Sequence, residues 1–176
     1  KLEKYIMLAP KLRTYEKREV YPLTGSQKGI FAECSKNPDS TVYNIPFLFE
    51  LENAIDEQKL ADALTKMVNA HSYLLTKVYL NSDGEMVQSP GEDKFIPKII
   101  KTTNSEFEAL KENLVRPFKL EKGRLFRAEI YLTEDKKYLF TDFHHIIADG
   151  NSYDIIFEDI NKAYCCLLYT SPSPRD

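Results

Sequence analysis

Apolar side chains recur at helical spacing in two segments of the chain. The first is 56–70, where they follow the i, i+3, i+4, i+7 rule of a helix with one buried face and Asp56 stands at the N-cap position. The second is 151–164, for which Asn151 and Asp154 are the expected N-terminal cap. The positions predicted to face the core are Leu60, Ala63, Leu64, Met67, Val68, Ile156, Ile160, Ala163 and Tyr164.

Runs rich in aromatic and β-branched residues predict strands between these helices. The predicted strands are 42–51, 74–80, 85–88, 95–101, 125–132 and 137–144, and two shorter helices are predicted for 26–34 and 105–115. Proline cannot donate to a sheet ladder, so Pro46 predicts that the first strand lies at an edge or is bulged. The apolar run 137–144 and the capped helix after it predict an α/β lobe with a mixed sheet in which this strand is central.

The composition of the chain narrows the class of protein. Its 176 residues match one domain, and its 43% hydrophobic and 29% charged residues are ordinary for a soluble globular protein. The net charge of −3 gives no reason to expect nucleic acid or an anionic membrane as a partner. The sequence contains no apolar run of membrane-spanning length and no signal-peptide pattern. Its three cysteines form no disulfide framework, which favours a reducing cytoplasm.

The residues best suited to catalysis or ligand binding lie at the end of the predicted strand 137–144. His144 and His145 are two of only three histidines, and Asp149 and Gly150 follow after three spacer residues. Adjacent side chains on a strand point to opposite faces, so one histidine is expected to face a cleft and the other to pack inward. A histidine at the end of a buried strand suits acid–base work near neutral pH. Gly150 is expected to permit a positive φ or a close backbone approach, and Asp149 to cap nearby N–H groups or pair with a cation.

The bare His-His-x-x-x-Asp-Gly pattern has two other interpretations. The first is a strand-end histidine pair followed by an ordinary Asp-Gly turn. The second, a zinc site, is disfavoured because two neighbouring histidines cannot easily bind one ion and no Cys/His cluster lies nearby in sequence.

Four segments, read in order, resemble the motifs of condensation domains of nonribosomal peptide synthetases. They are 21–31, 70–76, 117–128 and 144–150. The first resembles the opening motif and keeps its glutamine at Gln27, and the last resembles the family signature. The second resembles His-x-x-Leu-Arg-Thr, but Leu75 stands where the family usually has arginine. Wax ester synthases and other acyltransferases share the signature core and are the nearest competing family.

The resemblance implies an α/β fold, namely a chloramphenicol acetyltransferase-like lobe with a central mixed sheet and flanking helices. In that family two such lobes enclose the active site in a tunnel, and residues 1–165 are expected to be the truncated N-terminal lobe. The implied reaction is amide bond formation between acyl groups held as thioesters on phosphopantetheine arms. The implied partners are the carrier domains and the adenylation domain of the same synthetase, and no cofactor or metal is expected to bind directly.

The same resemblance implies a role for each residue of the signature. His145 is expected to face the tunnel, either as a base for the attacking ammonium or as a group that positions the amine and steadies the tetrahedral intermediate. His144 is expected to be structural, and Asp149 to hold the loop, with a cationic partner from the other lobe. Gly150 is expected to offer room and a backbone N–H near the reacting carbonyl, or to serve only as a turn glycine.

Three functions stay open on the sequence alone. The first is an amide-forming condensation domain. The second is an epimerising or cyclising relative, or an ester-forming acyltransferase, that uses the same histidine. The third is a non-catalytic truncated lobe.

The end of the chain does not resemble the family. Residues 166–176 look like the translation of a transposase-type sequencing adapter and are expected not to be native, with a natural proline-rich disordered terminus as the alternative. The chain also does not begin with methionine, which is expected of a fragment.

Overall fold

The computed structural model describes residues 18–91 and 94–166, which contain seven strands and four α-helices. The strands are β1 (Tyr21–Pro22), β2 (Asn44–Leu51), β3 (Lys77–Leu80), β4 (Met86–Ser89), β5 (Lys98–Lys101), β6 (Phe126–Leu132) and β7 (Lys137–His144). The α-helices are α1 (Gly25–Lys36), α2 (Glu57–Ala70), α3 (Asn104–Lys111) and α4 (Gly150–Cys166). The expected non-native tail lies outside the described residues from position 167 onward.

Two sheets form, and the larger one is the mixed sheet expected from the sequence. Its order is β2-β7-β6-β5, with β7 antiparallel to both of its neighbours and β5 parallel to β6. The prediction that strand 137–144 is central is therefore confirmed. Strand β2 lies at the edge of the sheet, as Pro46 predicts. The smaller sheet is antiparallel with the order β1-β4-β3.

The alternation of side chains along β7 assigns the two faces of the large sheet. Leu139 and Phe143 point into the main core, which α2 and α4 cover with residues such as Leu64 and Ile156. Tyr138 and Phe140 point to the other face and pack on Phe107 of α3. Because β7 is buried along nearly its whole length, apolar residues occur on both of its faces, as in the run Tyr138–Phe140 and at Phe143.

Helix capping follows the sequence at α2 and departs from it at α4. Asp56 Oδ1 accepts a hydrogen bond from the backbone N–H of Lys59 at 2.8 Å, so the predicted N-cap of α2 is confirmed. The predicted cap of α4 is wrong, because Asn151 lies inside the helix. Asp149 is the cap instead, since its Oδ1 accepts the backbone N–H of Ser152 at 3.2 Å.

Three predicted elements are shorter than expected. Residues Ser72–Leu75 form a 3₁₀ turn rather than the start of a strand, and this turn buries both Leu74 and Leu75. The strand predicted for 95–101 begins only at Lys98, directly after a proline. Helix α3 ends at Lys111, after which the chain turns and buries Leu114.

No helix among the described residues is long and apolar enough to cross a membrane.

The neighbouring residues Ile155 and Ile156 of α4 give a matched test of this core. Ile156 is fully buried, whereas Ile155 is 54% exposed. Ile156→Ala is expected to lower the free energy of unfolding by about 2–5 kcal/mol, because it removes buried methylene groups and leaves a cavity. Ile155→Ala is expected to change it by no more than about 0.5 kcal/mol. Urea denaturation of both variants measures the difference, and equal effects would show that α4 does not pack as described.

Candidate functional site

The two histidines of the signature are held by the backbones on either side of β7. The N–H of His144 donates to Leu125 O at 2.9 Å, and the N–H of His145 donates to Tyr43 O at 2.8 Å. The two bonds run to opposite sides of β7, and the side chains of the two residues point to opposite faces of the sheet. His144 is 4% exposed and packs inward, whereas His145 is exposed to solvent, as the strand alternation predicts.

His144 is a buried and neutral imidazole whose tautomer follows from its partners. Its Nδ1 accepts a hydrogen bond from the backbone N–H of Ile146 at 3.2 Å, so the ring proton must reside on Nε2. Nε2 then donates to Cys34 Sγ at 3.6 Å. Burial, together with the charge of neighbouring His145, lowers the pKa of His144 to about 4. The residue therefore holds the loop and does not exchange protons near neutral pH.

His145 lies at the wall of an open cleft of about 440 Å³. Most of the polar side chains around it are neutral hydroxyl or amide groups. They are Thr24, Ser26, Gln27, Gln88 and Ser152. Asp149 is the acidic residue of this lining. Strand β4, helices α1 and α4 and the residues next to them thus place hydrogen-bond donors and acceptors, most of them uncharged, along the same cleft as His145.

Gln27 joins the opening motif to the signature loop. Its Nε2 donates to Ile146 O at 3.0 Å, although the two residues are 119 positions apart. The sequence resemblance marked Gln27 but gave it no role. The contact shows that the glutamine supports the loop that carries His145.

Asp149 holds the loop to the start of α4. Its Oδ1 accepts from the N–H of Ser152 at 3.2 Å and from Ser152 Oγ at 2.7 Å. The N–H of Asp149 donates back to Ser152 Oγ at 3.3 Å. Its negative charge also adds to the effect of burial in raising the pKa of Tyr153 to about 12. A direct contact of Asp149 with a cation of the other lobe stays a prediction.

The expected backbone conformation of Gly150 is not found. Gly150 is the first residue of α4 and is absent from the residues with positive φ. A Cβ built on it would meet no atom within 4 Å beyond its own helix and chain neighbours, so no other described segment brings its backbone close to it. Helix formation by the residues after the loop, rather than a left-handed turn, sets its conformation. The proposed contact of its N–H with a reacting carbonyl stays a prediction.

A buried polar cluster under the end of β7 was missed by the sequence analysis. Asp142 is fully buried, and its Oδ2 lies 2.7 Å from Asn44 Nδ2 and 3.2 Å from Arg127 Nη1. Burial raises the pKa of Asp142 to about 6, against the opposing effects of Asn44 and Arg127. The guanidinium of Arg127 also stacks 3.9 Å over the ring of Phe118. The sequence signal that could have revealed this cluster is Asp142 itself, a charged residue within a strand rich in apolar side chains.

The second motif contributes to the core and to the contact between α2 and α4. Leu75, at the position where the family usually has arginine, is buried among core side chains. His71, the third histidine, binds Asp159 of α4 with 2.8 Å between Nε2 and Oδ2. This bond lies between the end of α2 and the middle of α4, and His71 does not line the cleft of His145.

Within residues 18–91 and 94–166 no group of three or more His, Cys, Asp or Glu side chains is arranged to hold a metal ion. The polar groups that line the cleft are an exposed imidazole, hydroxyl and amide groups, and the capping carboxylate of Asp149.

The family model described as the condensation domain matches residues 17–175 of the chain. One of the plipastatin synthase proteins of Bacillus subtilis (strain 168) is 36% identical over 152 residues, which are 85% of this chain and 6% of that protein. Bacitracin synthase 3 of Bacillus licheniformis is 31% identical over 155 residues, which are 87% of this chain and 2% of that protein.

Solved structures share the fold at lower sequence identity. The starter condensation domain of rhizomide synthetase superposes with a TM-score of 0.76 at 22% identity, over 90% of this chain and 40% of that one. The first condensation domain of the CDA synthetase superposes with a TM-score of 0.72 at 15% identity, over 89% of this chain and 43% of that one. The chain thus spans less than half of these domains and a small part of the curated relatives.

The protonation of His144 is a direct test of the site. We expect long-range ¹H–¹⁵N spectra to show a neutral ring with its proton on Nε2, and to show it titrating near pH 4 rather than near 6.5. The unfolded chain binds this proton near pH 6.5, so His144 contributes stability that is complete above that pH and is lost as pH falls to about 4.

Asp142 has the opposite effect on stability between pH 3.8 and about 6. Its raised pKa makes the folded state bind a proton at a higher pH than the unfolded state does, so its contribution to stability increases as pH falls through this range. The spectrum of His144 therefore separates the two groups better than a stability curve does. A His144 ring that titrates near 6.5, or that carries its proton on Nδ1, would contradict the described geometry.

Proposed function

This chain belongs to the condensation domain family, and we propose that it is the N-terminal lobe of a condensation domain in a nonribosomal peptide synthetase. The parent protein joins two acyl groups that partner carrier domains hold as thioesters on phosphopantetheine. An adenylation domain of the same synthetase loads those carriers. We also propose a cytoplasmic location, where thiols such as the free Cys34 and Cys165 stay reduced.

The observation that carries this proposal is the exposed imidazole of His145 at the end of the central strand, in a cleft whose polar lining is mostly neutral hydroxyl and amide groups. In the proposed reaction the acceptor amine attacks the carbonyl carbon of the donor thioester. The C–N bond forms, the C–S bond breaks, and the sulfur leaves as a thiol after it takes up the proton that the amine loses. Each step needs a group that can receive or orient a proton beside the reacting carbon.

His145 can serve this reaction in two ways. It can remove the proton from the attacking ammonium, which for a well-placed base raises a rate by about 10²–10⁴. It can also accept a hydrogen bond from the amine and hold it in line with the carbonyl, since a deprotonated amine needs little activation. Both roles require a defined position for the imidazole, and the backbone bonds of the loop hold the main chain from which it extends.

The other residues of the signature have supporting roles in this proposal. The neutral ring of His144 fixes the loop from inside the lobe, and Asp149 fixes it from the start of α4. Gly150 leaves the space beside the loop open, because a Cβ there would meet nothing within 4 Å. This space would admit the carbonyl group of a donor near the N-terminal turn of α4.

Removal of the His145 side chain tests the catalytic assignment. In the complete parent domain, His145→Ala is expected to lower amide formation by about 10-fold or more, because the positioned acid–base group is lost. Its unfolding midpoint should stay near that of the wild type, since the side chain is exposed. Product formation from two loaded carrier proteins is measured by mass spectrometry, with amine and hydroxyl acceptors compared to separate amide from ester formation.

Asp149→Ala serves as the matched comparison. Loss of the cap is expected to destabilise the protein by about 0.5–2 kcal/mol. A stable but inactive Asp149 variant, combined with an active His145 variant, would reverse the two assignments.

The isolated 176-residue chain is expected to form no peptide bond. A single lobe supplies His145 but cannot enclose two carrier arms, so the advantage of holding both reactants together is lost. That advantage amounts to about 7–11 kcal/mol, which exceeds the contribution of one general base. The assay offers two loaded carrier proteins to the purified chain, with heat-denatured chain as the control. Turnover above the control would show that one lobe suffices.

A further inference from the structure

We propose that Gln27 is a positioning residue, which together with His144 fixes the backbone after His145 and so sets the direction of the His145 imidazole in the cleft. This inference rests on the proposed function only where it concerns turnover. The arrangement of the loop itself can be tested without any assay of activity.

The hydrogen bonds of Gln27 determine which way its amide faces. Its Oε1 accepts the backbone N–H of Thr24 at 3.0 Å, and this N–H can only donate. Gln88 Nε2 approaches the same oxygen at 3.4 Å. The Nε2 of Gln27 is therefore directed at Ile146 O, to which it donates at 3.0 Å. A residue with only acceptor atoms could not make this bond.

The two polar groups of the Ile146 backbone are held by two side chains from different parts of the chain. His144 Nδ1 accepts its N–H at 3.2 Å, and Gln27 Nε2 donates to its carbonyl at 3.0 Å. The preceding N–H, of His145, is held by Tyr43 O, and the following N–H, of Ile147, is held by His144 O at 3.1 Å. The peptide groups on both sides of the His145 Cα are thus fixed.

A fixed Cα sets the direction from which the imidazole leaves the backbone. A misplacement of about 1 Å in a reacting group can cost about 10²-fold in rate. Loss of the Gln27 contact frees the Ile146 carbonyl, and with it the loop segment directly after His145. The expected consequence is a lower turnover rather than weaker substrate binding.

The side chain of Gln27 also belongs to the capping box of α1, because its Oε1 accepts the backbone N–H of Thr24 at 3.0 Å, and Gln27→Met loses this bond while Gln27→Glu keeps an acceptor for it. The N-cap of α1 keeps the bond from the backbone N–H of Gln27 to Thr24 Oγ1 at 3.4 Å whatever side chain stands at this position. The helix is also anchored through Phe31, which packs with Leu23 in a buried cluster. A variant at Gln27 can therefore keep α1 in place while it releases the loop.

Two substitutions separate the hydrogen bond from the space that the side chain fills. Gln27→Met has a similar length but neither donates nor accepts strongly. Gln27→Glu keeps the shape, and its neutral carboxyl group has one donor and one acceptor, whereas the ionised form only accepts. The control is Gln58→Met, which changes an exposed glutamine of α2 that bonds Asp62 on its own helix.

The first measurement is the NMR spectrum of the full 176-residue chain. In Gln27→Met we expect the amides of Ile146 and Ile147 and the ring of His145 to shift and broaden, together with the amides of the first turn of α1, which loses its capping-box bond. Signals outside α1 and this loop should stay close to those of Gln58→Met. In Gln27→Glu the same signals should return toward wild-type positions as pH falls below about 4–5, where the carboxyl group is protonated.

The second measurement is turnover in the complete parent domain. Gln27→Met is expected to lower kcat by about 10-fold, with KM within about 2-fold of the wild type. The ratio of Gln27→Glu to wild-type kcat is expected to rise as pH is lowered, which a purely structural role would not produce.

Wild-type loop signals and kcat in Gln27→Met would overturn the inference. So would a kcat that falls only as far as the folded fraction does, or a flat pH ratio for Gln27→Glu. If Gln27→Met does not fold, the return of the loop signals in Gln27→Glu at low pH decides the matter. A wild-type parent domain that forms no amide would refute the proposed function and leave the NMR result on Gln27 standing.

Discussion

The burial of β7 between two antiparallel neighbours is the constraint on which this lobe depends. A strand with hydrogen bonds on both sides and packed layers on both faces cannot shift its register by one residue, because every side chain would then change face. This register also determines which faces His144 and His145 point to at the end of the strand. His144 therefore points to the interior and His145 to the cleft, independently of the hydrogen bonds within the loop.

Strands β6 and β7 also bury two carboxylates, whose removal from water is unfavourable unless each has a partner. Asp142 and Glu129 are both below 5% exposed, and each is met by an arginine, Arg127 and Arg116 respectively. Tyr131 donates a further bond to Glu129 at 2.7 Å. A buried ion pair is weak evidence for added stability, since desolvation offsets much of the attraction, but loss of one partner leaves an uncompensated charge. The cluster therefore restricts which arrangements of β6 and β7 are possible more than it strengthens the one observed.

The sequence predicted those features that depend on local pattern. The helix capped by Asp56, the edge position of the strand with Pro46 and the central place of 137–144 all follow from spacing and residue type. Features that depend on tertiary contacts were not predicted. Leu74 and Leu75 form a 3₁₀ turn because the core takes both side chains, and Asp149 displaced Asn151 as the cap because the loop delivers its carboxylate to Ser152. The bond from Gln27 to Ile146 joins positions 119 apart, which no local pattern can reveal.

In the proposed function, His144 and His145 have separate tasks that a single histidine could not combine. A group that fixes the loop must be buried, and burial lowers the pKa of His144 to about 4, so it cannot exchange protons near neutral pH. A group that exchanges protons with substrates must stay in contact with solvent and reactants, and an exposed side chain has little packing to hold it. Adjacent positions on a strand resolve this conflict, because they share one backbone while facing different environments. The order that His144 and Gln27 impose on the loop is passed to His145 through covalent bonds, without the cost of burying its imidazole.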